Sequence, residues 1–301
     1  MSRMLIGVDW GTSSLRVARI DRPGDASEER AVPNGILSVP PGGFPAALAD
    51  VCGDWLRNRD ALVLVCGMAG SQQGWVEAPY CACPAGFADV AAHLKWVEPG
   101  RIAIVPGMRC EHDGMPDVMR GEETQVFGAL SLLAMSDATL VLPGTHSKWV
   151  QVSDGRIERF STFMTGEFFA LLRRHSILAR TMAVETAEDA LDEHAFSDGV
   201  HYAMHTGNLL AAAFSTRTRS LFGQLDAGAA PSYLSGLVIG EELRSLQLSP
   251  NAGPVVIIAN EALTHRYEVA LSLLDVRSRS IGSEATWRGL GAIARHLENA
   301  Q

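Results

Sequence analysis

Alternating apolar and polar positions over Leu15-Arg16-Val17-Ala18-Arg19-Ile20, after the apolar run Ile6-Gly7-Val8-Asp9-Trp10, predict two strands joined by a tight turn at Gly11-Thr12-Ser13-Ser14. The same arrangement returns at 139–152. There Leu140-Val141-Leu142 and the alternating Trp149-Val150-Gln151-Val152 flank a turn at Gly144-Thr145-His146-Ser147. Both turns read Gly-Thr-x-Ser. Helical spacing predicts helices over 44–57 (Leu48, Val51, Cys52, Trp55, Leu56), from Gly121 through Val126, Phe127, Leu130 and Leu133, from Thr165 as N-cap through Phe168, Leu171, Leu172 and His175, and over 234–246, 263–274 and 285–298. Short apolar runs at 61–66, 101–105 and 255–259 read as buried strands. The first two end in glycine (Gly67-Met68-Ala69-Gly70 and Gly107), and ligands of open α/β sheets sit at such strand ends. The Pro-, Gly- and charge-rich stretch 21–43 reads as a hairpin end and a loop, and 185–205 as an acidic helical and loop segment.

This alternation of strands and helices predicts an α/β protein whose two halves, 1–135 and 136–301, each open with the same hairpin, as in an ancient duplication with a cleft between halves. The last helix is placed as packing back across that cleft. With 301 residues, 47% hydrophobic and 20% charged, the chain is long enough for two such domains. A net charge of -9 argues against a general nucleic-acid or membrane-surface binder, which needs an extended positive face. No apolar run approaches the roughly 20 residues of a membrane span. Five cysteines in a chain of this size, with no charged-then-apolar leader, lead to the expectation of a reduced, cytoplasmic protein. Cys81-Ala-Cys83 reads as buried or loop thiols rather than as half a zinc site.

Gly-Thr turns present backbone N–H groups and hydroxyls to an anion, and glycine lets the chain approach it. The candidate phosphate contacts are therefore Gly11, Thr12 and Ser13 in one turn and Gly144, Thr145, His146 and Ser147 in the other. Asp9 is the one carboxylate of an apolar strand, so a partner such as a metal ion or its waters is expected, with capping of its own turn as the alternative. Lys148, one of two lysines in the chain, is a point charge suited to a phosphoryl group, and a solvated strand lysine is the alternative. Arg16, Arg109 and Arg120 are further cations, for an anionic ligand or for salt bridges. Glu122 and Glu123 stand in a first helical turn, where carboxylates favour the helix dipole; one of them, or Asp117, is the candidate general base. Gly70, Ser71, Gln72 and Trp75 form a candidate substrate loop, to which Thr165 and Glu167 at a helix start are added.

The blocks Val8-Asp9-Trp10-Gly11-Thr12, Gly67-Met68-Ala69-Gly70-Ser71, Met119-Arg120-Gly121-Glu122-Glu123-Thr124-Gln125, Pro143-Gly144-Thr145-His146-Ser147-Lys148-Trp149-Val150, Met164-Thr165-Gly166-Glu167 and Leu234-Ser235-Gly236-Leu237-Val238-Ile239-Gly240 span the chain in order. Doubled Gly-Thr hairpins resemble the sugar kinase, heat-shock protein and actin superfamily, and the blocks together resemble the 2-dehydro-3-deoxygalactonokinase family within it. The resemblance implies two ribonuclease H-like (actin-like ATPase) domains with a nucleotide cleft. It implies ATP-dependent phosphorylation of the 6-hydroxyl of 2-dehydro-3-deoxy-D-galactonate; joined to the residue readings above, this gives ATP and Mg2+ as expected cofactors, Asp9 toward the metal, and Asp9, Glu122 and Lys148 as the expected catalytic set. One departure is Asn260, at the turn after the 255–259 strand where the superfamily has glycine. Asparagine tolerates the left-handed backbone region, so the turn is expected to persist with a side chain narrowing the nucleoside pocket. A kinase for a related sugar acid, a phosphohydrolase, and a regulatory protein that binds sugar acid or nucleotide without turnover stay open as alternatives, as does the oligomeric state, a homodimer included.

Overall fold

The computed structural model describes residues 3–22, 24–184, 190–248 and 253–299. The protein is a mixed α/β fold. Its strands are β1 (Leu5–Trp10), β2 (Leu15–Arg22), β3 (Asp25–Val32), β4 (Leu62–Gly67), β5 (Cys81–Ala82), β6 (Lys95–Glu98), β7 (Ile102–Ile104), β8 (Met108–His112), β9 (Met115–Met119), β10 (Ala138–Leu142), β11 (Ser147–Ser153), β12 (Arg156–Phe163), β13 (Val255–Ile258) and β14 (Ser278–Ile281). Its helices are α1 (Phe44–Leu56), α2 (Phe87–Ala92), α3 (Glu122–Leu133), α4 (Thr165–His175), α5 (Glu193–Thr206), α6 (Leu209–Ala212), α7 (Ser215–Leu221), α8 (Ala230–Leu246), α9 (Glu261–Ser272) and α10 (Glu284–Asn299). Among the described residues no helix is long and apolar enough to cross a membrane.

Strand order is β3-β2-β1-β4-β7-β6 in one sheet, β12-β11-β10-β13-β14 in a second and β5-β8-β9 in a third. The chain forms two compact units. The first comprises Met1–Leu140, Trp149–Ser161 and Ile281–Gln301, and the second Val141–Lys148 and Thr162–Ser280. Residues 149–161 group with the first unit and not with the second half, and the last helix groups with the first unit, where it packs on α3.

In the first unit β1 runs antiparallel to β2 and parallel to β4. Its core gathers Ile6, Val8 and Trp10 of β1, Val63 and Val65 of β4, and Phe44, Leu48 and Trp55 of α1. Within the expected hairpin end and loop at 21–43, residues 25–32 form a strand. β3 pairs with β2, and every second residue is exposed. An edge strand with no fully buried face carries no apolar alternation, so periodicity did not reveal it. Helix α3 packs on α10 through glycines: a methyl group at Gly128 would collide with the Ala285 carbonyl, and one at Gly289 with the Thr124 carbonyl. That contact fixes the start of α3, which carries Glu122 and Glu123.

The second unit has its own core, in which α5 and α8 contribute Ala195, Ala203, Tyr233, Leu234, Leu237 and Val238. The acidic stretch 185–205 is helical from Glu193, while 185–189 lie outside the described residues.

Candidate functional site

In the first unit the C-terminal ends of β1 and β4 meet the start of α3. A side chain at Gly67, where φ is 86°, would lie 2.7 Å from the Trp10 carbonyl and 3.3 Å from Asp9 Oδ1, and one at Gly121, where φ is 106°, would lie 3.1 Å from the Gly67 Cα. Positive φ and crowding together demand glycine at both positions. They bring Asp9 and the carboxylates of α3 into one neighbourhood.

Asp9 already has a partner. Arg16 donates to its Oδ2 from Nε at 3.1 Å and from Nη2 at 2.5 Å. A metal or water partner was expected from the strand's apolarity, but a four-residue turn between β1 and β2 places residues 9 and 16 directly opposite each other. That register follows from the hairpin pattern alone. Arg16, expected toward substrate, also lies over the Trp287 ring. Gly11 to Ser14 close the hairpin with a Gly11 N–H to Ser14 carbonyl bond of 2.9 Å, and Thr12 and Ser13 are exposed.

At the start of α3 the Glu122 carboxylate accepts the Arg120 backbone N–H at 2.9 Å, and Glu123 accepts the Gly121 N–H at 2.7 Å and the Thr124 hydroxyl at 3.0 Å. Glu123 is fully buried, and desolvation, then the charge of Glu122, push its pKa from 4.5 up to about 8. A carboxyl group with a raised folded-state pKa keeps its proton while the unfolded chain loses it. Its stabilising contribution is therefore complete below about 4.5 and is lost as pH rises to about 8, at up to roughly 1.4 kcal/mol per pH unit. Glu123→Gln keeps one acceptor and one donor at the same places and should flatten that part of the stability profile. Urea unfolding of both proteins from pH 5 to 9 checks this, and parallel profiles would contradict it. Asp117 stands on β9, opposite Cys110.

The candidate substrate loop is held by its own backbone bonds. Ser71 and Gly74 close turns, and the Trp75 N–H bonds the Ala69 carbonyl at 2.7 Å. Gln72 is exposed, whereas the Trp75 ring stacks on Phe44 at 6.2 Å and 7° and meets Trp10 edge-on, so it closes the loop onto the core. Arg109 is exposed on β8 and makes no side-chain hydrogen bond or ion pair among the described residues. The cation that reaches this loop is Arg120. Its Nη2 donates to the Ala78 carbonyl at 2.8 Å, and its guanidinium lies 4.3 Å from the centre of the Tyr80 ring.

In the second unit the Gly144 turn rests on α4. A methyl group at Gly166 would collide with the Gly144 carbonyl, and the Glu167 N–H bonds the Thr145 carbonyl at 3.0 Å. His146 Nε2 and Glu167 Oε2 are 2.6 Å apart, which ties two expected ligand contacts to each other. Lys148 is buried, and its Nζ donates to Thr162 Oγ1 at 2.7 Å, so it is no solvated strand lysine.

Behind the turn lies a cavity of about 340 Å3 whose walls include Gly144, Ser147, Thr165, Phe169, Arg173 and Arg266. Its volume suits a nucleoside or a molecule of similar size. A buried hydroxyl network underlies it. Tyr267 donates to Glu242 at 2.9 Å, Ser147 Oγ is 3.0 Å from the Tyr267 hydroxyl, and Thr165 also donates to Glu242. Burial and the Glu242 carboxylate raise the Tyr267 pKa, which keeps that hydroxyl a donor.

Two expectations are corrected here. Thr165 is not the N-cap of α4: Met164 holds that place, and the Thr165 hydroxyl is spent on Glu242. Asn260 does not take the left-handed conformation, for its φ is -70° and ψ 164°, and its side chain caps α9 by accepting the Leu263 N–H at 3.0 Å. Nor does it narrow the cavity, whose α9 wall is Leu263, Arg266 and Tyr267. The helix end supplied an unpaired donor, and the asparagine carbonyl satisfies it.

A sequence model of the 2-keto-3-deoxy-galactonokinase family matches residues 9–293. The chain is 37% identical over 299 residues to a Rhizobium meliloti (strain 1021) protein named "Probable 2-dehydro-3-deoxygalactonokinase DgoK1", covering 96% of each. It is 33% identical over 301 residues to the 2-dehydro-3-deoxygalactonokinase of Escherichia coli (strain K12), covering 99% of this chain and 100% of the other. A crystal structure of a Sinorhizobium meliloti protein, provisionally assigned as a 2-dehydro-3-deoxygalactonokinase, superposes with TM-score 0.87 at 35% identity over 97% of this chain and 99% of that one. Component A of the (R)-2-hydroxyglutaryl-CoA dehydratase of Acidaminococcus fermentans shares the fold, with TM-score 0.55 at 14% identity and complete coverage of both chains.

Proposed function

The chain belongs to the 2-keto-3-deoxy-galactonokinase family, and from that premise we propose that it transfers the γ-phosphoryl group of ATP to the 6-hydroxyl of 2-dehydro-3-deoxy-D-galactonate, a step of galactonate catabolism in the cytoplasm. The observation that carries the reading is the Gly144 turn at the mouth of a nucleoside-sized cavity, with Ser147 and Thr165 in its wall.

On this reading the α/β fold is of the ribonuclease H-like (actin-like ATPase) kind. The nucleoside occupies the cavity. Gly144 to Ser147 contact its phosphates, with Lys148 as a local positive charge, and Gly11 to Ser13 are the second set of candidate phosphate contacts. The sugar acid lies along Gly70 to Gln72, and Glu122 takes the proton of its 6-hydroxyl as that oxygen attacks phosphorus. Catalysis of phosphoryl transfer is chiefly positioning and charge neutralisation, so exclusion of water from the pair matters as much as the base.

Asp9 fits a Mg2+ role. That ion keeps most of its waters and needs only one or two carboxylates beside substrate phosphates, and the described residues contain no cluster of three metal-binding side chains. Bound there with ATP, Mg2+ would neutralise phosphate charge.

ADP release, followed with a panel of sugar acids including the gluconate epimer, tests the reading, with phosphorus NMR locating the new ester. We expect release that depends on the keto-deoxy acid and a phosphomonoester on C6. Equal release without any sugar acid would make the protein a phosphohydrolase, and binding without release would make it a regulator.

A further inference from the structure

Among the described residues the first unit holds a cation with no acidic partner. Among the described residues no carboxylate pairs with the Arg120 guanidinium, and its Nε and Nη1 are buried with no hydrogen-bond partner. The hydroxyl of Ser71, next in the chain to Gly70, is likewise buried and unpartnered. Each such group forfeits its solvation, at a cost of roughly 1–3 kcal/mol and more for a charge. Native proteins keep few of them, and those they keep call for a reason.

The surroundings are built to admit the guanidinium and hold its plane. A methyl group at Gly70 would sit 2.7 Å from Nη1, so glycine there gives the charge its place. The Ala78 carbonyl fixes Nη2, and the Tyr80 ring, 40% exposed, stacks on the guanidinium. The Arg120 backbone N–H meanwhile bonds Glu122. One residue thus joins the proposed base to the proposed sugar-acid loop.

We propose that Arg120, with the Ser71 hydroxyl, is the receptor for the carboxylate of the sugar acid. The inference rests on the sugar-acid reading of this loop and adds what that reading lacks, the group that selects an acid over a neutral sugar. A planar guanidinium matches a carboxylate in shape and charge, and a charge-assisted bond in a buried site is strong. The carboxylate supplies the missing acceptor, with the Tyr80 ring moving aside as it enters. Arg120 acts on binding and orientation and exchanges no proton.

Titration calorimetry without nucleotide separates this from a structural role. The probes are 2-dehydro-3-deoxy-D-galactonate and its primary amide, tested on the wild type, Arg120→Gln and Ser71→Ala. The wild type should bind the acid at least ~100-fold more tightly than the amide, Arg120→Gln should reduce that ratio to within a few-fold of one, and Ser71→Ala should lower it about tenfold. A residue that merely pins the loop would weaken both ligands together and leave the ratio intact. A wild type that does not bind the acid, or does not prefer it, or an Arg120→Gln protein that keeps the preference, overturns the proposal. Kinase activity is measured separately: a preference for the acid that depends on Arg120, in a protein without phosphoryl transfer, defeats the kinase reading and leaves this one standing.

Discussion

Asp9→Asn is expected to lower kcat for sugar-acid phosphorylation by ~10^3-fold or more, with the protein still folded. The substitution keeps the shape of the side chain and removes its charge. The pair it disturbs is partly exposed, with 29% of the Arg16 side chain and 19% of that of Asp9 accessible. Loss of the charge should therefore cost about 1 kcal/mol of stability and not the several kcal/mol of a fully buried pair. On the proposed reading the catalytic loss is larger, because Asp9 would hold the Mg2+ that neutralises phosphate charge.

Arg16→Gln separates the two roles of Asp9. It breaks the same ion pair but leaves the carboxylate. If Asp9 served only to anchor Arg16, both variants would lose activity equally. If it serves Mg-ATP, Asp9→Asn falls much further, and raising the Mg2+ concentration restores little of it. Steady-state kinetics over a Mg2+ series with thermal unfolding as a fold check decides this, and full activity in Asp9→Asn would remove its assigned role.

What the sequence disclosed and what it hid follow from the range of the interactions. The Gly11 and Gly144 turns were legible because strand, turn and strand are local, helices α1, α4 and α10 because each has one apolar face, and α3 because Gly121 opens an apolar run. The Asp9 to Arg16 pair was within reach too, since hairpin register is arithmetic. Asn260 was misread because a left-handed turn and an N-cap are alternative uses of the same short amide, and a backbone donor two or three residues on decides between them. The network of Ser147, Thr165, Glu242 and Tyr267 joins residues up to 120 positions apart, and no spacing rule connects them. Arg120 was one arginine among three until its buried N–H groups, unmatched by any acceptor, set it apart.

Glu122→Gln should lower kcat by ~10^2- to 10^4-fold while KM for the sugar acid changes little. The two adjacent glutamates differ in capacity. Glu123 is enclosed, and with a pKa of about 8 it already holds a proton near neutral pH, so it has no place for a second. Glu122 is only partly buried, on the first turn of a helix whose position the α10 contact fixes. Its carboxylate, tied to the Arg120 N–H, has an oxygen oriented by the backbone. Glutamine preserves that acceptor and cannot accept the hydroxyl proton, so binding and catalysis should part company. The companion measurement is Glu123→Gln, expected to stay within about tenfold of the wild type because that carboxyl group transfers no proton. If instead Glu122→Gln turns over normally and Glu123→Gln does not, the proton passes through the buried carboxyl group, and α3 must move during the reaction to expose it.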